Sequence, residues 1–528
     1  MSTRRCTSPH GSLLLSLAAA AVVLPVSGCK VGPNYKTPQA ILPPTNSYKE
    51  VPPSTYHDGW NQATPADAQL KGDWWSLFSD PELNTLEPQV DSANQTLKAA
   101  EANFRASRAQ IGYARSFEAP TIGVSPMMGA TRYSSNQPYF NKALTTNGEG
   151  NFSLPVDLSY ELDVWGRVRR GVTQARNNAQ ADFADLENAR LSLHAELALD
   201  YVRLRSDDAQ IQLYNDTILA YQRALDLTSA RFEGGVSPQS DVTQAQTQLE
   251  TARVQRTEIS IDRTNSEHAI AVLIGKAPAD FSIAPLVAAS PIQNVAESGP
   301  ESRQIKDAPL VPSPSSKNTA AAIGPLLPEV PGAMPSVLLE RRPDIASSER
   351  RMAAANEAIG IAQAAYYPTF SISASGGFTG TSLLNWFNWP SRFFAVGPQM
   401  SETIFDYGRR RSVKQLSIAQ YDQTVATYRQ TALTAFQQVE DNLAALRILE
   451  SEADQQHSAT AAAEHSLQLF NDRYEGGVDN YLQVITWQTN ALYNERNDLL
   501  IQQRRLEASV LLIKALGGGW NASSVPHL

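Results

Sequence analysis

Apolar and polar side chains alternate strictly along several segments of this chain. In NFSLPVDLSYEL, residues 151–162, every even-numbered position is apolar or aromatic, whereas the odd-numbered positions are mostly polar. A period of two residues is typical of a β-strand with one apolar and one polar face. The alternation recurs near residues 122–128, 370–378 and 394–404, so we predict four strands of about ten to thirteen residues. Their predicted apolar faces include Phe152, Leu154, Val156, Leu158, Phe370, Ile372, Phe394 and Val396.

Two other segments have the period of an α-helix. The chain contains no proline from Gly166 to about Phe232, and neither proline nor glycine from Arg409 to about Tyr474. Each segment would form a helix of about 65 residues, which is roughly 100 Å long. Helices of about half that length are predicted at 83–117, 241–274, 338–367 and 482–516. Two short helices laid end to end would therefore equal one long helix in length and could pack along it.

The two long helices belong to an internal repeat. The stretch RFEGGV, which begins at Arg231, returns as RYEGGV at Arg473, and the same offset of 242 residues relates Gly166 to Gly408. Each copy therefore reads helix, pair of strands, long helix, Gly-Gly break and helix. We predict that the chain reverses at each Gly-Gly pair, because glycine accepts the left-handed backbone conformation that a tight reversal needs.

The N-terminus has the features of a bacterial export signal. Arg4 and Arg5 precede an apolar run, and the run is followed by VSGC, which ends at Cys29. This pattern resembles a lipobox, in which residues 1–28 are removed and the cysteine thiol is acylated. Lys30 follows the cysteine and favours sorting to the outer membrane. The alternative is an ordinary signal peptide with an unrelated cysteine.

Composition and motifs exclude several classes of function. The chain has 528 residues and a net charge of −9, and it contains no concentrated basic patch, so we expect no nucleic-acid partner. Its seven histidines form no HExxH pair, and the phosphate-binding and nucleophile-elbow motifs are absent. We therefore expect no catalytic residues, no cofactor and no metal site. Energy for any transport would have to come from a partner.

The apolar sheet faces allow two interpretations. They could pack on the helices of a soluble protein, or they could face hydrocarbon in an outer-membrane barrel. Four strands are too few to close a barrel, so a barrel would need several chains, and three copies would supply twelve strands. The lipobox favours the second interpretation.

Several stretches together resemble one family. They are CKVGPNYKTP at 29–38, DWWSLFSDPELNTL at 73–86, the segment LLERRPDIASSERR that begins at Leu338, RYEGGVDNYLQV at 473–484 and KALGGGW at 514–520. The chain resembles the trimeric outer-membrane efflux ducts of the TolC and OprM type, most closely the lipoprotein branch that serves resistance-nodulation-division pumps. The resemblance covers nearly the whole chain after Cys29.

The resemblance implies an α+β membrane protein. Long helical hairpins would form a periplasmic α-barrel, and each chain would add four strands to a trimeric twelve-stranded barrel in the outer membrane of a Gram-negative bacterium. A periplasmic adaptor and an inner-membrane pump would dock at the helical tip, open it and drive small toxic molecules outward. The implied tip and gate residues are Gly234, Gly235, Asp241, Arg473, Tyr474, Gly476, Gly477 and Asp479.

The repeat and the resemblance predict the domain organisation. We expect a signal peptide at 1–28, a lipid-anchored extended segment at 29–72, a first repeat at 73–282, a Pro- and Ser-rich linker at 283–337, a second repeat at 338–520 and a tail at 521–528. Part of the linker, 298–322, has the composition of a disordered excursion.

Two alternative functions remain open from the sequence. The first is a lipid-anchored periplasmic coiled-coil scaffold, in which the strands form a soluble cap. The second is a duct for protein export in a type I system. In the first alternative the chain would become soluble without its lipid anchor, whereas a barrel would still require detergent.

Overall fold

A computed structural model describes much of the chain. The described residues are 30–38, 73–132, 134, 136, 148–286, 323, 327–328, 341–520, 522–526 and 528. The predicted signal peptide, Cys29 and the 298–322 excursion lie outside the described residues.

Helices dominate the described part of the chain. Those longer than ten residues are α1 (Pro81–Ala93), α2 (Gln95–Ser116), α3 (Arg167–Glu233), α4 (Gln239–Leu273), α5 (Pro343–Ala364), α6 (Arg409–Glu475) and α7 (Tyr481–Ala515). Within the described ranges, none of the helices has both the length and the apolar character needed to cross a membrane.

The long helices α3 and α6 confirm the predicted repeat. Each has 67 residues, which corresponds to a length of about 100 Å. Each begins directly after a glycine with positive φ, at 79° for Gly166 and 85° for Gly408. Their following helices α4 and α7 both have 35 residues. The two halves of the chain therefore fold alike.

Short helices pack end to end along the long helix α3, as the sequence predicts. The α2 helix lies along the first part of α3, where the Phe104 and Phe183 rings are 5.3 Å apart. The α4 helix lies along the last part, where Leu249 and Ile259 share a buried cluster with Tyr214. The long helix thus obtains a packing partner over both its halves.

The helix predicted at 83–117 is divided in two at Asn94. This residue is extended, with φ −62° and ψ 126°, and its side chain caps α2 by accepting a hydrogen bond from the Leu97 amide. The side-chain amide of Asn94 also donates a hydrogen bond to the Leu273 carbonyl at 2.8 Å. Apolar periodicity continues across the break, which is why the sequence predicted a single helix.

One antiparallel sheet extends from the helices. Its strands are β1 (Thr121–Val124), β2 (Met127–Thr131), β3 (Glu149–Leu162), β4 (Thr369–Gly380) and β5 (Arg392–Ser401). The order is β1, β3, β4, β5, with β2 also paired to β3. Leu154 lies opposite Phe378, and Ser159 lies opposite Ser373. Because directly opposite residues project from the same face, the register gathers apolar residues on one face and serines on the other.

The first predicted strand is interrupted, so five strands replace the four that were expected. Val124 pairs with Val156 and Met127 pairs with Ser153, so the register is the same on both sides of the interruption. Pro126 lies between the two pieces and has no amide hydrogen to donate to a sheet. The sheet is therefore still four strands wide.

The segment that follows Cys29 is fixed to the helices by a buried arginine. Arg170 is fully buried, and its guanidinium donates to the Val31 carbonyl at 2.7 Å and to the Glu357 carboxylate at 2.8 Å. A Cβ at Gly360 would lie 2.3 Å from the Arg170 Nε atom. Only glycine leaves space for the guanidinium at position 360. Arg170 belongs to the first repeat, whereas Glu357 and Gly360 belong to the second, so this contact depends on both repeats.

We predict that Glu357→Gln destabilises the protein strongly. The change leaves the Arg170 charge buried without its counterion, which costs about 3 kcal/mol or more in the free energy of unfolding. The matched control is Glu161→Gln, since the Arg167–Glu161 pair has side chains that are 44% and 33% exposed and should contribute less than about 1 kcal/mol. Thermal unfolding of the purified protein measures both, and equal shifts in Tm would contradict the role given to the buried pair.

Candidate functional site

The apolar face of the sheet carries the residues predicted to meet lipid. Side chains of Val156, Phe394 and Val396 are exposed in the single chain, Phe394 to 86% and Val396 to 72%. The other predicted positions, Phe152, Leu154, Leu158, Phe370 and Ile372, are partly buried by their neighbours on the same face. No described helix covers this face at Phe394 or Val396, and its contact with lipid stays a prediction.

Both edges of the sheet lack a partner within the described chain. The β5 strand pairs with β4 alone, and the β1 and β2 strands pair with β3 alone. Unpaired backbone groups along a strand are a template for pairing with another chain. In hydrocarbon such groups must be paired, because no water is present to bond them. A sheet of this kind is complete only when neighbouring copies join its edges.

The opposite end of the molecule contains two equivalent helix turns. Gly235 and Gly477 both have φ of 74°. In the first turn the Val236 amide donates to the Arg231 carbonyl at 2.8 Å, and in the second the Val478 amide donates to the Arg473 carbonyl at 2.9 Å. This pattern is the Schellman motif, in which a left-handed glycine ends a helix. The two turns lie side by side at the tip.

Arg231 links the two turns. Its guanidinium lies 4.3 Å from the centre of the Tyr474 ring and donates to the Tyr474 carbonyl at 3.3 Å and to the Glu475 carbonyl at 3.5 Å. A cation at the C-terminal end of a helix is favoured by the helix dipole. The end of α3 is thereby attached to the end of α6.

The equivalent arginine of the second repeat has a different partner. Arg473 donates to the Asp479 carboxylate at 2.5 Å and 3.3 Å, and this hydrogen bond raises the pKa of Arg473. The position equivalent to Asp479 in the first repeat is Ser237. Since Arg231 has no acid there, it is available to the other turn. The exchange of Ser237 for Asp479 between the repeats thus accompanies the different partners of the two arginines.

An aromatic pair lies beneath the turns. The Tyr474 and Tyr481 rings are 5.3 Å apart, and Tyr474 is only 5% exposed. Burial raises the pKa of the Tyr481 hydroxyl, and the neighbouring Tyr474 and Asp241 raise it further. The Tyr474 hydroxyl is buried and has no hydrogen-bond partner in the described part of the chain. The pair is held by packing and by the Arg231 cation.

The structure brings the predicted tip residues together at this end. Gly234, Gly235, Gly476, Gly477 and Arg473 are exposed, whereas Asp241 and Asp479 are partly buried. Asp241 lies in the first turn of α4. Within the described ranges, no group of three or more His, Cys, Asp or Glu side chains is arranged to hold a metal ion.

Two residues of this cluster were missed by the sequence reasoning. Arg231 and Tyr481 were not among the predicted tip residues, although Arg231 joins the two turns and Tyr481 packs against Tyr474 within the second hairpin. A signal for Arg231 was available, because it is the repeat equivalent of Arg473 and has Ser237 where the second repeat has Asp479. Its actual partner depends on how the two hairpins pack, which the repeat does not specify.

Comparison with known proteins identifies the family. The family model described as outer membrane efflux protein matches residues 88–276 and 334–518. A probable efflux pump outer membrane protein, SepC of Pseudomonas putida, is 30% identical over 516 residues, which cover 96% of this chain and 97% of that protein. The outer membrane protein OprJ of Pseudomonas aeruginosa is 27% identical, with 96% of each chain covered.

Solved structures have the same fold. The outer-membrane channel OprN aligns with a TM-score of 0.78 at 24% identity, over 93% of this chain and all of that one. The CmeC outer membrane channel of Campylobacter jejuni aligns with a TM-score of 0.79 at 21% identity, over 94% of this chain and 96% of that one. The chain therefore belongs to the outer membrane efflux protein family, and its function is that of an efflux channel of the outer membrane.

Proposed function

We propose that three copies of this chain form one continuous duct from the periplasm to the exterior. The observation that carries the proposal is a sheet four strands wide with one apolar face and two unpaired edges. Three such sheets supply twelve strands, enough to close a barrel with a polar interior. The helices of about 100 Å continue the wall of the barrel into the periplasm.

Cys29 is proposed to be acylated and to lie at the inner surface of the outer membrane. Its neighbour Lys30 packs against Gly166, and the Val31 amide donates to the Trp165 carbonyl at 3.1 Å. Both contacts lie between β3 and α3, where the sheet meets the helices. An acyl chain at residue 29 would therefore enter the lipid beside the base of the sheet.

The proposed cargo is small toxic molecules. Relatives are named for the efflux of toluene, of solvents and of antibiotics. The proposed partners are a periplasmic adaptor and an inner-membrane resistance-nodulation-division pump, which supply the energy. The chain itself would act as a passive, non-enzymatic duct.

The tip is proposed to be the gate. Gly234, Gly235, Gly476 and Gly477 would form the surface for docking, and Asp241 and Asp479 would line the entrance. Arg473 and Tyr474 would stabilise the closed turns together with Arg231. The contact of Arg231 with the end of α6 supports this proposal, because separating the two hairpins requires that contact to break.

We predict opposite outcomes for a lysine placed on the two faces of β4. Ile372→Lys puts a charge on the apolar face and should raise the free energy of the inserted barrel by up to about 2–4 kcal/mol, the cost of a lysine at the bilayer midplane. Ser373→Lys is the matched control on the adjacent position of the polar face. In a strain whose drug resistance depends on this protein, the first variant should lose membrane-assembled protein and resistance, and the second should retain both.

Equal behaviour of the two variants would contradict the barrel. Release of the Cys29→Ser protein as a soluble periplasmic species, without detergent, would instead support the scaffold alternative. Retention of the Cys29→Ser protein in the membrane is the result that the duct requires.

We predict that Gly235→Ala destabilises the tip through backbone strain alone. A Cβ at Gly235 meets no atom within 4 Å, but its φ of 74° costs an L-residue about 1–2 kcal/mol. Gly234→Ala is the matched control, because Gly234 has a helical φ of −75° and its Cβ would meet its nearest neighbour at 3.4 Å. Proteolysis at the tip and thermal unfolding should both distinguish the variants, and a larger effect at Gly234 would contradict the strain argument.

A further inference from the structure

A short loop closes the end of the sheet that lies farthest from the helices. Residues 381–391 connect β4 to β5, and β4 leaves the helical part at its own beginning, after α5. The loop therefore lies at the outer rim of the proposed barrel. It contains two short 3₁₀ turns, Leu383–Asn385 and Trp389–Ser391.

The loop folds back against the apolar face rather than across the opening. The Trp386 ring lies 5.8 Å from the Phe152 ring, and the Phe387 ring lies 5.8 Å from the Phe378 ring. The register puts Phe152 and Phe378 on the apolar face. The aromatic residues of the loop thus extend that face outward as a collar, by which we mean residues 383–389.

The collar exposes large apolar side chains. Leu384 is 91% exposed and Trp389 is 74% exposed, and Leu383 and Phe387 are exposed as well. A contiguous apolar patch of this kind marks a surface for a membrane or another apolar partner. Because the patch continues the face that carries Phe394, it belongs to the lipid side of the barrel.

One cation lies at the boundary of this surface. Arg392 is the first residue of β5 and is paired with Phe378, so it stands on the apolar face in one row with Phe394 and Val396. Its guanidinium lies 3.6 Å from the centre of the Trp389 ring. The sequence from 381 to 401 contains no aspartate or glutamate, so neither the loop nor β5 supplies a counterion.

We propose that Arg392 and the collar bind a phosphate-bearing glycolipid of the outer leaflet. This inference rests on the proposed barrel and names its lipid partner. The guanidinium matches a phosphate, because its planar donors bind phosphate oxygens in pairs. The acyl chains lie along the row from Phe394 inward, and the collar lies beside the headgroup and the interface. The Trp389 ring and the Arg392 guanidinium lie together at the rim, and the apolar row begins at Phe394 on the strand. An aromatic ring and a cation at the rim fit the headgroup and the interface of a lipid, and the apolar row fits its acyl chains.

The charge of Arg392 and the continuity of the collar with the apolar face of the sheet indicate which partner binds here. An adaptor or a pump acts from the periplasmic end and cannot reach this rim. A second copy of the chain joins the sheet at its edges, whereas the collar lies on its face. The partner that remains is the lipid proposed to contact that face, and the Arg392 cation, which has no acid within residues 381–401, favours an anionic headgroup.

The test compares the full-length assembled protein with three variants in lipid nanodiscs. The probes are diphosphorylated lipid A and the same lipid without its phosphates. Native mass spectrometry should show that the unmodified protein retains the phosphorylated form about tenfold better. Arg392→Gln should abolish this preference, and Arg392→Lys should retain most of it. Arg411→Gln removes an exposed cation from the first turn of α6, on the helical side of the sheet, and should leave the preference unchanged.

Equal retention of the two lipids by the unmodified protein would overturn the inference, and so would an equal loss in the Arg411→Gln variant. Displacement of the lipid by millimolar inorganic phosphate would overturn the choice of a lipid headgroup. These outcomes are separate from failure of the duct, in which no unmodified protein would assemble in the membrane. Both Arg392 variants should assemble and support drug resistance.

Discussion

The whole architecture depends on how a sheet can be accommodated in hydrocarbon. Every backbone amide and carbonyl in the hydrocarbon must be paired within protein, and the band of side chains that meets the hydrocarbon must be apolar. The register of β3, β4 and β5 satisfies the second requirement by placing Leu154 and Phe378 on one face. The first requirement is unmet at both edges of the single chain. The proposed assembly of three copies follows from that incompleteness.

The internal repeat supplies both halves of the sheet and of the helical wall. Each half contributes strands to the sheet and a helix of 67 residues to the wall, and each reverses at a left-handed glycine. Yet the halves are not interchangeable at the tip. Arg473 donates a hydrogen bond to the Asp479 carboxylate within its own turn. Ser237 stands at the equivalent position of the first repeat, and Arg231 binds the end of the other long helix instead. The proposed gate needs contacts that can be separated, and the Arg231 contact between the hairpins is one of them.

Local patterns predicted most of the fold. Alternation in 151–162 and the absence of helix breakers after Gly166 are local properties of the chain, and both β3 and α3 were predicted from them. The break at Asn94 was missed because apolar periodicity continues through it, although the capping side chain is itself a local signal. The interruption at Pro126 left the register unchanged and therefore changed only the strand count.

Contacts between distant segments could not be predicted in the same way. The collar was not recognised, because nothing in residues 383–389 specifies that Trp386 returns to Phe152. The cation–π contact of Arg231 with Tyr474 likewise depends on the packing of two hairpins. Burial of Arg170 required the position of Glu357, which lies in the other repeat. In each case the sequence supplied a suitable residue, and tertiary packing chose its partner.

The central claim is that hydrocarbon touches the apolar face of the sheet. Spin labels on single cysteines at the adjacent positions 372 and 373, in protein assembled in membranes, test it most directly. The account predicts that the label replacing Ile372 collides mainly with dissolved oxygen, which concentrates in lipid, and that the label replacing Ser373 collides mainly with a water-soluble nickel chelate. High accessibility of position 372 to the nickel chelate would contradict the account.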